Sequence, residues 1–120
     1  MAPPAVHALV DDLFFRAKIE ATAASLRVPV RFARDPGELV AGLDDRPALV
    51  LVDLAHHGAD PVGAIRALKA REPLPRVIAF GSHVDAEILT AARDAGADRV
   101  LARSAFSARL AEILGEASAP

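Results

Sequence analysis

The run Ala48-Leu49-Val50-Leu51-Val52 is hydrophobic at every position and stops at Asp53. A strand with one wet face alternates apolar and polar side chains, so an unbroken apolar run predicts a strand buried on both faces, as in a parallel sheet covered by helices. The rest of the chain must then supply the neighbouring strands and the covering helices. Ala5 to Val10 is a second apolar run, ending at Asp11 and Asp12, and Val77 to Phe80 and Val100 to Ala102 are two more. Val28 to Ala33 alternates, with Pro29 and Arg31 interrupting it, which predicts an edge strand.

Helical signals separate these runs. From Leu13 to Leu26, apolar residues recur at Phe15, Ile19, Ala23 and Leu26. Asp35-Pro36-Gly37-Glu38 combines an Asp N-cap, Pro at the first helical position and Glu at the third, a reciprocal capping arrangement. Asp60-Pro61 opens a helix to about Ala70, and Ser82-His83-Val84-Asp85 caps one that Ala95-Gly96-Ala97 stops. Ser104 caps a last helix with Phe106, Leu110, Ile113 and Leu114 on one face. Five strands alternating with five helices through short loops, joined by right-handed crossovers, predict a single α/β domain. The expected architecture is a doubly wound, five-stranded parallel sheet of order 2-1-3-4-5, a flavodoxin-like (βα)5 fold spanning residues 1–120 with a core from about 5 to 115.

Composition removes several classes of function. A chain of 120 residues that is 52% hydrophobic and 25% charged makes one soluble globular domain. Its formal charge of -2 offers no basic excess to neutralise a phosphate backbone, so nucleic acid is not an expected partner. Zero cysteines exclude disulfides, thiolate metal sites and cysteine nucleophiles. Apolar stretches of about six residues fall far short of the roughly 20 needed to cross a bilayer, and Met1 to Pro4 lacks the basic start of a signal peptide. A cytoplasmic protein without a membrane partner is expected. No G-x-G-x-x-G follows a strand, no serine sits in a nucleophile elbow, and neither Trp nor Tyr is present to cover a flavin.

In sheets of this order, ligands sit beyond the carboxyl ends of the strands where the winding reverses, here between the first and third strands. Asp11, Asp12 and Asp53 all fall there. Three carboxylates in one crevice repel one another unless a cation is present, and Mg2+ is the simplest one, taking one or two carboxylates, a carbonyl such as that of Ala55, and waters. The structural alternative is that Asp11 or Asp12 caps the first helix and Asp53 merely ends a strand. His56 and His57 follow Asp53, and His83 follows the fourth strand, so a transition-metal rim or ordinary loop histidines are both open; His7 is read as structural.

Four segments carry a resemblance: Val10-Asp11-Asp12, Leu51-Val52-Asp53, Ala92-Arg93-Asp94-Ala95-Gly96-Ala97-Asp98 and Val100-Leu101-Ala102-Arg103-Ser104-Ala105-Phe106. In their order and spacing the chain resembles the receiver domains of two-component response regulators over nearly its whole length. The resemblance implies that Asp53 accepts a phosphoryl group from a phosphohistidine or small phosphodonor. Mg2+ would be held by Asp11, Asp12, Asp53 and the backbone of Ala55. It also implies a histidine kinase or phosphotransfer protein, a downstream signalling protein, or both, as partners. At most the chain would catalyse its own phosphorylation and dephosphorylation.

The chain departs from that family at three places. Arg103-Ser104 stands where Lys-Pro is expected, and the only lysines, Lys18 and Lys69, do not reach that position. Arg103 is expected to face the phosphoryl or carboxylate oxygens as a rigid fork. At the hydroxyl position closing the fourth strand, a gapless alignment places Gly81 and a one-residue bulge places Ser82, which alternatively caps the next helix with Asp85. Val100 replaces the aromatic of the fifth strand. The competing function is therefore a pseudo-receiver, an interaction module that works without phosphorylation through the face of the fourth helix, fifth strand and fifth helix. Arg99, Val100 and Arg109 lie on that face, in a monomer or weak homodimer.

Overall fold

The computed structural model describes residues 4–43, 48–56, 58–71 and 74–117. His57 lies outside the described residues. The chain runs β1 (Val6–Leu9), α1 (Leu13–Ser25), β2 (Val30–Ala33), α2 (Pro36–Ala41), β3 (Leu49–Asp53), α3 (Pro61–Lys69), β4 (Arg76–Gly81), α4 (Ala86–Asp94), β5 (Arg99–Ala102), α5 (Arg103–Ala108) and α6 (Leu110–Ala117). All strand pairs are parallel, in the order β2-β1-β3-β4-β5, as the sequence predicts.

Every residue of β3 is buried, and the two-residue period of a strand sends its side chains alternately into two cores. Leu49 and Leu51 join Val6, Ala8, Ile78 and Phe80 under α1, α5 and α6. Val50 and Val52 join Leu9, Val77 and Ala79 under α2, α3 and α4. Each fully buried Leu, Ile or Phe contributes about 1.5–3 kcal/mol, and these two layers hold the sheet between its helices. The interrupted strand β2 does lie at an edge.

Aspartates start the helices. Asp12, Asp35, Asp60 and Asp85 cap α1, α2, α3 and α4, each accepting from backbone N–H groups of the first turn. The reciprocal half of the expected box in α2 is replaced: Glu38 Oε2 accepts from Arg34 Nε at 3.1 Å. Two further expectations are corrected. Ser82 does not cap α4, because Asp85 Oδ1 accepts from Ile88 N, while Ser82 Oγ accepts from Val84 N in the turn before the helix. Ser104 does not cap the last helix either. With no loop between β5 and α5, the chain turns at Ala102 (φ -63°, ψ 149°), the helix starts at Arg103, and Ser104 falls inside it. That last helix is also two pieces, α5 and α6, separated at Arg109 (φ -105°, ψ 10°), although Phe106, Leu110, Ile113 and Leu114 all stay buried.

At the end of α4, Gly96 adopts φ 109°, a left-handed conformation that penalises any side chain. Asp98 then ties β5 to its neighbour, accepting from Val77 N at 2.7 Å and Lys69 Nζ at 2.6 Å. Burial acts to raise its pKa, but the hydrogen bonds from Lys69 and Val77 and the Lys69 charge outweigh that and hold the carboxyl below its usual value. Phe80→Ala is expected to cost about 3–5 kcal/mol in urea unfolding. Leu74→Ala, at a residue 56% exposed, is expected to change stability by less than about 0.5 kcal/mol.

Candidate functional site

Asp53 closes β3 on the face that carries Leu49 and Leu51, opposite Phe80 in the strand register. It is 1% exposed, and its Oδ1 accepts from Ala55 N at 2.9 Å and from Arg103 Nη2 at 3.2 Å. Arg103 reaches it because α5 begins directly at the end of β5, at the same end of the sheet. The expected fork is thus an ion pair with the candidate acceptor. Burial raises the Asp53 pKa above its usual value, and the Ala55 N–H and the Arg103 charge offset only part of that, while the Asp11 charge adds to it.

A cavity of about 180 Å³ is lined by Asp11, Asp12, Asp53, Ala55 and Arg103, the residues that the sequence places in the crevice. Asp12 serves the structural alternative as well, since its Oδ1 accepts from Phe14 N at 2.9 Å and Phe15 N at 3.1 Å. These hard oxygen donors suit Mg2+, which keeps several waters and needs few protein ligands. Among the described residues no three His, Cys, Asp or Glu side chains converge into a metal cage, so the site fits a hydrated Mg2+ on one or two carboxylates rather than a fully chelated metal.

None of the described histidines joins this cavity. His56 is buried, with Nδ1 3.9 Å from Asp11 Oδ2, but Nδ1 accepts from Gly58 N at 3.2 Å. It therefore presents a lone pair there, not a proton, and makes no ion pair in that state. His83 is exposed and lines a different cavity. His7 is buried in β1.

The open alignment at the end of β4 resolves without a bulge. The β4–β5 register continues evenly to Gly81, paired with Ala102, and Ser82 lies in the turn beyond it. A Cβ at Gly81 would stand 3.3 Å from Leu54 Cβ, a tight contact that Leu54 would have to relax by a few tenths of an ångström. On the expected partner face, Val100 packs half-buried against the core under α2–α4, Arg99 is half-buried and Arg109 is exposed.

Sequence reasoning missed what lies beneath Arg103. Its guanidinium sits 5.3 Å above the Phe15 ring, Phe15 stacks on Phe80 at 5.3 Å, and Phe80 stacks on Phe106 at 4.0 Å. Three of the five phenylalanines thus form one column linking α1, β4 and α5 to the ion pair. Helical spacing identifies Phe15 as core-facing, but only the fold brings it to Arg103. Leu13 and Phe14, 77% and 82% exposed beside Asp12, were likewise not singled out by their pattern.

No protein-family model and no curated protein matches the chain. Solved structures do. The receiver domain of NtrX from Brucella abortus superposes with a TM-score of 0.78 at 22% identity, covering 93% of this chain and 96% of that one. The chain has the receiver fold. A cyanobacterial phytochrome response regulator, RcpA, solved in its phosphorylated form, gives a TM-score of 0.75 at 19% identity over 96% of this chain and 91% of its own. Longer NtrX in complex with ADP gives 0.75 at 24% identity over 94% of this chain, which spans 27% of that protein's length. In such proteins the receiver fold is one part of a larger chain.

The buried carboxylate has a measurable consequence. A folded-state pKa above the unfolded value means that ionisation of Asp53 opposes folding: its contribution is intact below the unfolded value near 3.8 and is lost as pH rises through the folded pKa. Without added divalent metal, Asp53→Asn is expected to be more stable than the parent at pH 7 in urea unfolding, with the gap closing as pH falls through the folded pKa toward 3.8. A gap that widens in acid would contradict the assignment.

Proposed function

We propose that this chain is a receiver module of two-component signalling in which Asp53 takes a phosphoryl group in a Mg2+-dependent reaction. The observation that carries this reading is the state of Arg103. Its Nη2 donates to Asp53, while its buried Nε has no hydrogen-bond partner among the described residues. Nε lies next to Nη2 on the planar guanidinium, so beside the donor that meets Asp53 stands a second, buried donor that a further oxygen would satisfy. A phosphoryl group on Asp53 supplies that oxygen.

Because the described hydrogen bonds converge on Oδ1, Oδ2 is the attacking atom. It forms the new bond to phosphorus while the donor's P–N or P–O bond breaks and its electron pair leaves with the donor. Mg2+ held by Asp11 and Asp12 would supply charge neutralisation for the transferring group. Arg103 orients the acceptor before transfer and holds the phosphoryl oxygens after it. The donor is a histidine kinase, a phosphotransfer protein or a small phosphodonor, and the readout is a contact with a signalling partner. A cytoplasmic setting follows from that chemistry, and no described helix is long and apolar enough to cross a membrane.

A second reading is favoured by one specific observation. Gly81, packed close to Leu54, brings no hydroxyl to the end of β4 that could follow a phosphoryl group, which supports a pseudo-receiver that docks partners in one fixed state. Intact mass after incubation with acetyl phosphate separates the two. A single phosphoryl adduct that requires Mg2+ and is absent in Asp53→Asn is the expected result. A folded protein that never gains the adduct with any donor, with or without Mg2+, returns the chain to the pseudo-receiver reading. Arg103→Gln is expected to slow adduct formation at least about tenfold, as for loss of one charged contact to the transferring group.

A further inference from the structure

Arg103 also lines a second, larger cavity that none of the carboxylates of the first line. It has a volume of about 480 Å³, within the range of small-molecule sites. Phe15, Ser82, His83, Ser104 and Ser107 complete its lining. Lys18 Nζ donates to Ser107 Oγ and so places an ammonium at its margin. Among the described residues no carboxylate pairs with Lys18.

The two cavities are chemical opposites. The first gathers three carboxylates against one guanidinium, which suits a cation and the phosphoryl group it accompanies. The second joins a guanidinium, an ammonium and an imidazole to three hydroxyls and one aromatic ring, with no acid among the described residues that line it. Such a set offers the Lys18 ammonium, the Arg103 donors that Asp53 leaves free, neutral hydroxyl donors for oxyanion oxygens, and the part of the Phe15 ring that Phe80 and Arg103 leave uncovered as an apolar contact. We propose that this second cavity binds a small organic anion, a carboxylate, phosphonate or phosphate ester carrying a planar apolar body. The anionic group meets Lys18, the free Arg103 donors and the serine hydroxyls, and the planar body meets the part of the Phe15 ring that Phe80 and Arg103 leave uncovered.

The inference stands on the cavity's own residues, whether or not Asp53 accepts a phosphoryl group. If it does, the two sites are coupled, because both draw on the Arg103 guanidinium. Occupancy of one must then change the affinity of the other, and reciprocally.

Amide NMR of the 15N-labelled full chain, titrated with phenylphosphonate, tests the proposal, since a P–C bond cannot donate a phosphoryl group and Asp53 chemistry stays out of the readout. Saturable shifts are expected at Phe15, Ser82, His83, Ser104 and Ser107. Binding of methylphosphonate, which lacks the ring, is expected to be at least about tenfold weaker. Benzylamine, with the ring and the opposite charge, is expected to produce no saturable shift. Lys18→Gln, at an exposed residue whose loss the fold tolerates, is expected to weaken phenylphosphonate binding severalfold with the rest of the spectrum unchanged. The proposal is overturned by shifts confined to Asp11, Asp12 and Ala55, by shifts that never saturate, or by a Lys18→Gln variant that binds as tightly as the parent. Asp53→Asn retains the second cavity, so binding to that variant together with failed phosphorylation of the parent would sink the receiver chemistry and leave the anion site standing.

Discussion

One ion pair fixes the arrangement at the carboxyl ends of the strands. Asp53 is a carboxylate with almost no access to solvent, at the end of a strand that is otherwise hydrocarbon on both faces. Taking such a charge out of water is costly unless it is paired and hydrogen-bonded, and the partners here are the Ala55 N–H and the Arg103 guanidinium. Because β5 passes into α5 without a loop, Arg103 leaves the sheet where its side chain meets Asp53. The pairing is incomplete, because burial still dominates the Asp53 pKa and the Arg103 Nε is left without an acceptor. A buried site with one uncompensated acid and one uncompensated donor is poised for a further group that satisfies both.

The column of Phe15, Phe80 and Phe106 gives the pair its mechanical support. Arg103 rests on the first ring, and the stack runs from α1 through the core to α5. A guanidinium is suited to this in a way that an ammonium is not, since its plane lies over an aromatic face while its edge addresses a carboxylate. The exchange of Lys for Arg at this position therefore belongs with the aromatic column. The tight contact of Gly81 with Leu54 belongs with the opposite face of the sheet, where the second core closes against the start of the β3–α3 loop.

Much of this was legible in the sequence, for physical reasons that differ by element. The strand order followed from one unbroken apolar run and from crossover handedness, because a parallel sheet leaves little choice once its central strand is known. Asp11, Asp12 and Asp53 were legible because strand ends and the switch point are one place in this fold. The cap misread at Ser82 lay within a turn of Asp85, and local propensity does not choose between them, whereas Ser104 was misread because α5 starts directly from β5, one residue earlier, with no side-chain cap. The break at Arg109 carries no Gly or Pro to announce it. Phe15 over Arg103, and Leu54 against Gly81, are contacts between residues far apart in the chain, which no period along the sequence records.

The central claim is that Arg103 holds an unfilled donor for the group that Asp53 receives. Nitrogen-detected NMR of the Arg103 Nε–H, before and after treatment with acetyl phosphate and Mg2+, addresses that claim at the atom concerned. The account predicts that the Nε–H resonance moves downfield and becomes protected from solvent exchange when Asp53 is modified, and that neither change occurs in Asp53→Asn. A phosphorylated protein whose Arg103 Nε–H keeps its shift and exchange rate would contradict it.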